Sequence, residues 1–220
     1  MFLVAQSTYD RIELGIYQDN LTGNSSCLKS TSIDKLDATK LLISELDKLL
    51  DNLKIRLSNL DFIAVSKGPA PFTTLRVLLS TINGIALATQ IPLIGIDSLE
   101  ALLKDNLSKE YKFTLAILNA FSDDVYYALQ TPKETKMGCK NINDLMEAIK
   151  IIIENEKIEI IGNGIEVFKE QIKNLDFVVP KNNPQYTTLQ EVADAALKKW
   201  HNKETQTKIL PIYLKEAVKN

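Results

Sequence analysis

Apolar and polar residues alternate near the start of the chain, and this period-two pattern predicts strands that bury one face. In the second of these stretches Ile12, Leu14 and Ile16 alternate with polar neighbours. Strands are predicted over residues 2–7, 11–18 and 25–29, with a turn at 20–24. The beginning of the chain is therefore expected to form an antiparallel meander.

A helical period replaces the alternation between Asp34 and Leu57. Asp34 is suited to cap the helix at its amino end, because its short side chain can accept a hydrogen bond from the first turn. The apolar positions are Leu36, Leu42, Ile43, Leu46, Leu49, Leu50 and Leu53. This apolar band is wider than a single buried stripe requires.

The remaining pattern predicts strands and helices in alternation, which is typical of a parallel sheet. It restarts after the polar stretch 108–112. Further strands are predicted at 62–65, 93–96, 113–118, 125–130, 135–137 and 158–161. Helices are predicted at 72–89, 98–107, 142–153, 165–173 and 187–200. We predict an α/β protein with two similar subdomains, 1–106 and 107–220, each with a mixed sheet flanked by helices.

The charge balance and the cysteine content argue against several classes of function. With 26 Lys and Arg against 28 Asp and Glu, the chain has no broad positive field, so autonomous nucleic-acid binding is not expected. Cys27 and Cys139 form no C-x-x-C pair, which argues against a disulfide framework or a thiolate metal site. We identify neither a signal peptide nor a membrane span in the sequence, and we expect a cytoplasmic protein.

The segment Lys67 to Arg76, KGPAPFTTLR, marks a turn from a buried strand into a helix. Its amide groups and the nearby Lys67 and Arg76 could bind an anion. The alternative is a rigid corner that sets the helix direction, with Pro71 at the first helical position. The corner is favoured, since prolines remove donors that a phosphate cradle needs.

Other candidate sites are weaker. Gly162, Asn163 and Gly164 follow a predicted strand, where a backbone could approach a nucleotide, although such a motif is more often a tight turn. The sole histidine, His201, cannot form a His pair for a metal, and it is poorly placed to serve as the base of a catalytic triad. We therefore predict no catalytic residue, no metal ligand and no cofactor.

Several motifs of the sequence resemble those of a known family. KGPAPFTTLR is similar to the R-G-P-G-S-F-T-G-L-R segment of the TsaB (YeaZ) family, which is needed to make threonylcarbamoyladenosine in tRNA. The matching stretches, in order, are LVAQST at 3–8, NGIALATQIPLIGIDSLEAL at 83–102 and LPIYLK at 210–215. The resemblance implies an actin-like ASKHA fold, related to ribonuclease H, over nearly the whole chain.

The resemblance also implies a role. Family members lack the metal-binding histidines of the catalytic subunit TsaD and act by pairing with it, together with the ATPase TsaE, so a pseudo-enzyme subunit is expected. In the family, amino-terminal helices form the contact in heterodimers and homodimers. The residues expected at this interface are Leu36, Ile43, Leu50, Phe72, Leu75, Arg76, Leu79 and Asn83. A vestigial nucleotide cleft is expected at Gln6, Ser7, Thr8, Gly162, Asn163 and Gly164.

Several residues depart from the family pattern. Gln6 stands where the family has aspartate, which weakens any metal or nucleotide role there, and Asn119 and Phe121 replace an aspartate and an arginine. Leu78 and Ser80 replace glycines, so close approach of a partner helix through glycines is expected to be blocked, although leucine could equally add apolar contact. Substitutions in the signature itself are Ala70, Pro71 and Thr74.

Alternatives remain at this stage. The wide apolar band of the first helix is either a partner surface or a sign of deeper burial. A small ATPase or phosphotransferase with the same fold is the main rival function, and a peptidase is a further one. If the interface prediction is right, Ile43→Asp and Leu79→Asp each disrupt association with TsaD while the monomer stays folded.

Overall fold

The computed structural model describes residues 1–20, 23–154 and 156–214. The chain divides into two units, each built on its own five-stranded sheet. Unit 1 comprises Met1–Ser98 and Thr188–Ile212, and unit 2 comprises Leu99–Thr187 and the chain from Tyr213. The predicted α/β class with two mixed sheets flanked by helices is confirmed.

Unit 1 begins with an antiparallel meander, as the alternating pattern predicts. Its strands are β1 (Phe2–Ser7), β2 (Arg11–Asp19), β3 (Ser25–Asp34), β4 (Phe62–Ser66) and β5 (Leu93–Ile96). Its helices are α1 (Ala38–Leu53), α2 (Phe72–Thr89) and α7 (Leu189–His201), with a 3₁₀ turn at Leu57–Asn59. The strand order in this sheet, sheet 1, is β3-β2-β1-β4-β5, with β4 parallel to both β1 and β5.

Unit 2 repeats this topology. Its strands are β6 (Phe113–Asn119), β7 (Asp124–Gln130), β8 (Thr135–Asn141), β9 (Ile158–Ile161) and β10 (Phe177–Val178). Its helices are α3 (Ser98–Asp105), α4 (Ile142–Ile153), α5 (Gly164–Val167) and α6 (Lys169–Ile172). The order β10-β9-β6-β7-β8 corresponds strand for strand to that of sheet 1, which agrees with the predicted similarity of the two halves.

Two local predictions are wrong. Asp34 does not cap a helix, because β3 continues to Asp34 and α1 begins only at Ala38; the Asp34 carboxylate instead accepts a hydrogen bond from the Leu36 amide at 2.9 Å. The helix predicted at 165–173 is divided at Phe168, which leaves helical geometry with φ −112° and ψ 28° while its ring is buried in the unit 2 core. The predicted turn at 20–24 falls partly outside the described residues.

The structure divides the chain differently from the predicted boundary at residue 106. Helix α7 belongs to unit 1 because its apolar side packs on sheet 1, where Trp200 stacks on Phe62 with ring centroids 4.7 Å apart. Asp194 fastens this helix to β3, since its Oδ1 accepts hydrogen bonds from the amide and the hydroxyl of Ser25 at 2.8 and 2.7 Å. A chain segment distant in sequence thus completes the first unit.

The Asp194 contact gives a testable expectation. Asp194→Ala leaves two donors of Ser25 without their acceptor, and we expect the free energy of unfolding of unit 1 to fall by about 1–3 kcal/mol. Urea unfolding monitored by the fluorescence of Trp200, the only tryptophan, measures the change. A midpoint equal to that of the wild type would show that this contact does not hold α7 in place.

Candidate functional site

The turn between β4 and α2 is a closed corner. Gly68 has φ 100°, which favours glycine, and the Gly68–Pro69 peptide is cis. The Gly68 amide donates to Ser66 Oγ at 3.3 Å, and the Gly68 carbonyl accepts from the Ser98 amide at 3.0 Å. The Ser66 hydroxyl is also hydrogen-bonded to the Ser98 hydroxyl. These contacts support the rigid-corner interpretation of KGPAPFTTLR.

The buried hydroxyl group in the first turn of α2, that of Thr74, has hydrogen-bond partners within unit 1. Ser7 Oγ donates to Thr74 Oγ1 at 3.0 Å, and Thr74 Oγ1 donates to the Pro71 carbonyl at 3.2 Å. The Arg76 guanidinium lies over the Phe72 ring, 5.6 Å from its centroid. Anion binding, the less favoured interpretation of this helix end, stays untested, and these side-chain contacts add no support to it.

The predicted cleft residues of unit 1 lie at the end of β1 and have partners. Gln6 is 2% exposed, and its Nε2 donates to Glu13 Oε2 at 2.5 Å. Thr8 Oγ1 donates to Asp10 Oδ1 at 3.0 Å across the turn into β2. Gln6, Ser7 and Thr8 therefore stabilise the β1–β2 hairpin and its contact with α2.

The predicted cleft residues of unit 2 form a tight turn after β9. Gly162 has φ 104°, and a Cβ at this position would lie 2.2 Å from the carbonyl oxygen of Ile117. Its amide donates to Asn183 Oδ1 at 2.9 Å, and Asn163 Oδ1 accepts from the Asn119 amide at 2.9 Å. Gly164 is also close to β6, because a Cβ there would lie 3.0 Å from the same oxygen. The contacts account for both glycines by close packing, without a ligand.

The six cleft residues fall in different units, three in unit 1 and three in unit 2. Within each unit they are brought together by hydrogen bonds and packing. Among the described residues, no cluster of His, Cys, Asp and Glu side chains could hold a metal ion. The Nε2 atom of His201, the last residue of α7, lies 2.8 Å from Asp19 Oδ2. The vestigial nucleotide cleft stays an untested prediction.

The predicted interface residues divide into exposed and buried groups. Leu50, Leu75 and Leu79 are 6%, 2% and 3% exposed and belong to the unit 1 core, so they are not available to a partner. The broad apolar band of α1 is thus mostly explained by deeper burial. Ile43, at 59% exposed, is one of its apolar residues that remain outside.

Asn83 has a structural role that the sequence does not reveal. Its side-chain amide donates to the Ile209 carbonyl at 2.9 Å and accepts from the Ile209 amide at 2.8 Å. This pair of bonds joins α2 to the chain that follows α7. Asn83 is only half-exposed, and its amide group faces its own unit.

The exposed side of α2 forms a continuous surface, which we call the α2 outer face. It consists of Phe72, Arg76, Ser80, Gly84 and Leu87, spaced at three or four residues. Phe72 is 46% exposed and Leu87 is 77% exposed, and a Cβ at Gly84 would meet nothing within 4 Å. The surface is therefore apolar at both ends and small in the middle.

Sequence reasoning missed Gly84 and Leu87 and assigned Leu78 the wrong side of the helix. Leu78 is fully buried in the unit 1 core, so it does not block approach to the α2 outer face. The sequence signal for the exposed face is the recurrence of small or polar residues at every fourth position of α2.

Helix α2 is long and apolar enough to cross a membrane by length and composition alone, but its inner side packs on sheet 1 as in a core helix.

Comparison with known proteins agrees with the fold and the motifs. The TsaD family model, tRNA N6-adenosine threonylcarbamoyltransferase, matches residues 37–204. A curated relative from Buchnera aphidicola subsp. Schizaphis graminum, named tRNA threonylcarbamoyladenosine biosynthesis protein TsaB, is 27% identical over 184 residues, covering 78% of this chain and 82% of the relative. The chain belongs to the TsaB (YeaZ) family, within the TsaD-type domain family. This confirms the resemblance of its motifs.

Other relatives show how far the family likeness extends. A tRNA N6-adenosine threonylcarbamoyltransferase from Lawsonia intracellularis is 46% identical, but over only 55 residues, which are 25% of this chain and 16% of that protein. The family motif LPIYLK at the end of the chain includes Lys215, which lies outside the described residues.

Solved structures confirm the ASKHA fold of the TsaB family member. A Pseudomonas aeruginosa protein described as similar to peptidase YEAZ superposes with a TM-score of 0.73 at 19% identity, covering 97% of this chain and 99% of that one. A ROK family protein from Streptococcus pneumoniae reaches a TM-score of 0.50 at 12% identity, covering 92% of this chain and 98% of that one. At these identities the likeness concerns the fold alone.

Proposed function

We propose that this protein is a non-catalytic subunit that binds and supports TsaD in the formation of threonylcarbamoyladenosine on tRNA. The TsaD-type domain match and the name of the curated TsaB relative support the pathway. The observation that carries the subunit role is the α2 outer face, an exposed and partly apolar surface on a helix whose inner side packs in the unit 1 core.

The shape of this face favours another helix as its partner. Helices approach each other closely where the residues between them are small. Ser80 and Gly84 provide that low centre, and no atom of the described residues beyond the neighbouring turns of the helix lies within 4 Å of a Cβ built at Gly84. Phe72 and Leu87 offer apolar contact on either side, and Ile43 is a further exposed apolar residue, on α1. We take these residues as the partner surface.

The same face would serve a second copy of the chain, so we propose that self-association and TsaD binding exclude each other. TsaE would join through the assembled complex. Mixing the chain with TsaD should convert homodimers into heterodimers. Mass determination across a concentration series measures this conversion.

The interface prediction is tested with a charge on the α2 outer face. Leu87→Asp should weaken association with TsaD by about 10- to 100-fold, because a carboxylate would be buried without a partner. The monomer should stay folded, since Leu87 is 77% exposed. Titration of TsaD with the variant, followed by analytical ultracentrifugation, measures the loss.

A matched control separates this effect from a general effect of surface charge. Ile151 on α4 is also 77% exposed but lies in unit 2, so Ile151→Asp should bind TsaD as the wild type does. Equal affinity of wild type and Leu87→Asp would contradict the proposed face.

The non-catalytic role is tested separately. Purified chain alone should form no threonylcarbamoyladenosine on tRNA, whereas adding it to a reaction with TsaD and TsaE should raise product formation. ATP hydrolysis by the chain alone would favour the ATPase alternative. Cleavage of a peptide substrate would favour the peptidase alternative.

A further inference from the structure

The segment that follows α7, Thr205–Ile212, lies across the edge of sheet 1 and is here called the strap. The amide of Gln206 donates to the Leu93 carbonyl at 2.8 Å, and the Leu93 amide donates to the Gln206 carbonyl at 2.9 Å. Further along, the Ile212 amide donates to the Lys67 carbonyl at 3.0 Å. The strap thus pairs with the edge strand β5 and ends at the β4–α2 corner.

One apolar side chain anchors the strap in the core. Ile209 is 1% exposed, although both of its neighbours in sequence are exposed. The seat beneath it requires Gly95, because a Cβ there would lie 3.1 Å from both Ile209 Cδ1 and Gln206 Oε1. The strap therefore occupies a shaped position in unit 1.

The strap meets α2 where this helix is intrinsically weakest. Asn83 and Gly84 are adjacent poor helix formers in the interior of the 18-residue helix. An asparagine side chain in a helix ordinarily competes for the helix's own backbone groups. Here the Asn83 amide is instead held by both backbone groups of Ile209, at 2.9 and 2.8 Å.

Beyond Gly84, Ala86 is buried in the unit 1 core, whereas the last residues of α2 are exposed. A cavity of about 230 Å³ lies between this end and the strap. Its lining includes Ala86, Leu87, Gln90, Thr205 and Gln206. Fewer packed neighbours at a helix end lower its resistance to local opening. The bonds between Asn83 and Ile209 thus hold this half of α2 to unit 1 together with the buried Ala86.

We infer that Asn83 is a positioning residue through which the strap holds the carboxyl half of α2, and with it Gly84 and Leu87 of the outer face. The effect on TsaD affinity rests on the proposed function. The effect on the order of α2 concerns the chain by itself. The two can therefore be measured independently.

The test is hydrogen exchange on the isolated full chain. In Asn83→Leu the side chain can no longer bond to Ile209, and we expect the amides of residues 85–90 and of Ile209 to exchange about ten-fold faster or more. The amides of β1 and β4 should keep their protection. Asn83→Asp retains the acceptor for the Ile209 amide and should give an intermediate increase; it also serves if Asn83→Leu does not fold.

Two further variants distinguish positioning from general destabilisation. Gly84→Ala improves helix propensity in open space, so adding it to Asn83→Leu should restore protection of residues 85–90. Asn106→Leu removes a similar side-chain bond to the Leu102 carbonyl in unit 2 and should leave exchange in α2 unchanged. Unchanged exchange in Asn83→Leu, or failure of Gly84→Ala to restore protection, would overturn the inference.

Titration with TsaD completes the test. Asn83→Leu should bind about ten-fold more weakly than wild type, in proportion to the lost order of α2. Faster exchange with unchanged affinity would overturn the link to the partner face. If wild type itself does not bind TsaD, the proposed function fails, while the exchange result still decides the role of the strap.

Discussion

Gly162→Ala is expected to lower the free energy of unfolding of unit 2 by about 3–5 kcal/mol. The residue has φ 104°, where a side chain is strained, and its Cβ would lie 2.2 Å from the Ile117 carbonyl oxygen. That contact is with the backbone of β6, so no side-chain rotation can relieve it. Thermal unfolding followed by far-ultraviolet circular dichroism should show an early transition, while Trp200 fluorescence reports unit 1.

Gly23→Ala is the matched control for this prediction. Gly23 also has a left-handed conformation, with φ 87°, but a Cβ there would meet no atom of the described residues within 4 Å. Its cost should be limited to conformational strain, about 1–2 kcal/mol. If both variants lose the same stability, backbone contact with β6 is not the reason for Gly162.

This result also changes how the ATPase alternative can be tested. Loss of ATP turnover in a Gly162 or Gly164 variant would first indicate a damaged unit 2, since both glycines pack against the Ile117 backbone. Turnover by the wild-type chain is the informative measurement.

Leu79→Asp should unfold unit 1, whereas Ile43→Asp should leave it folded. Leu79 is 3% exposed in the unit 1 core, and replacing it removes a packed side chain and buries an acid, at a cost of about 4–5 kcal/mol. Ile43 is 59% exposed, and a substitution there should change stability by about 0.5 kcal/mol or less. The burial of Leu79 thus argues against the expectation that Leu79→Asp leaves the monomer folded.

Urea unfolding of both variants measures the contrast. Trp200 stacks on Phe62 in the same unit, so its fluorescence follows the packing of unit 1 directly. A folded Leu79→Asp monomer with a wild-type midpoint would contradict the assignment of Leu79 to the core. Only Ile43→Asp remains suitable as a probe of partner binding.

Much of the fold could be predicted from local patterns. The ranges of α2, α4, β5 and β9 agree with the periodicities, because each has a regular apolar spacing with a clear end. The meander at the start follows from alternation, and the two similar halves follow from the restart of the pattern. Local patterns failed at Asp34 and at Phe168. Asp34 is the last residue of strand β3, although an aspartate there is equally suited to cap a helix. Phe168 leaves helical geometry in the middle of a run with helical spacing.

The candidate site was less predictable, because its residues differ in orientation rather than in type. Leu50, Leu75 and Leu79 are as apolar as Ile43, Phe72 and Leu87, and only the packing against sheet 1 separates the core group from the exposed group. A helix that is apolar on most sides does not reveal its rotation in the sequence.

By itself, the sequence determined the α/β class, most of the elements and the family motifs, since these depend on the spacing of residues along the chain. Only the tertiary structure decided that α7 and the strap complete unit 1, because both come from residues far from β1–β5 in sequence. It also decided that α2, the helix that begins within KGPAPFTTLR, has an outer face that does not pack in the unit 1 core. Whether a leucine is buried depends on the residues that surround it in the folded chain. The proposed partner surface could therefore be chosen only from the tertiary structure.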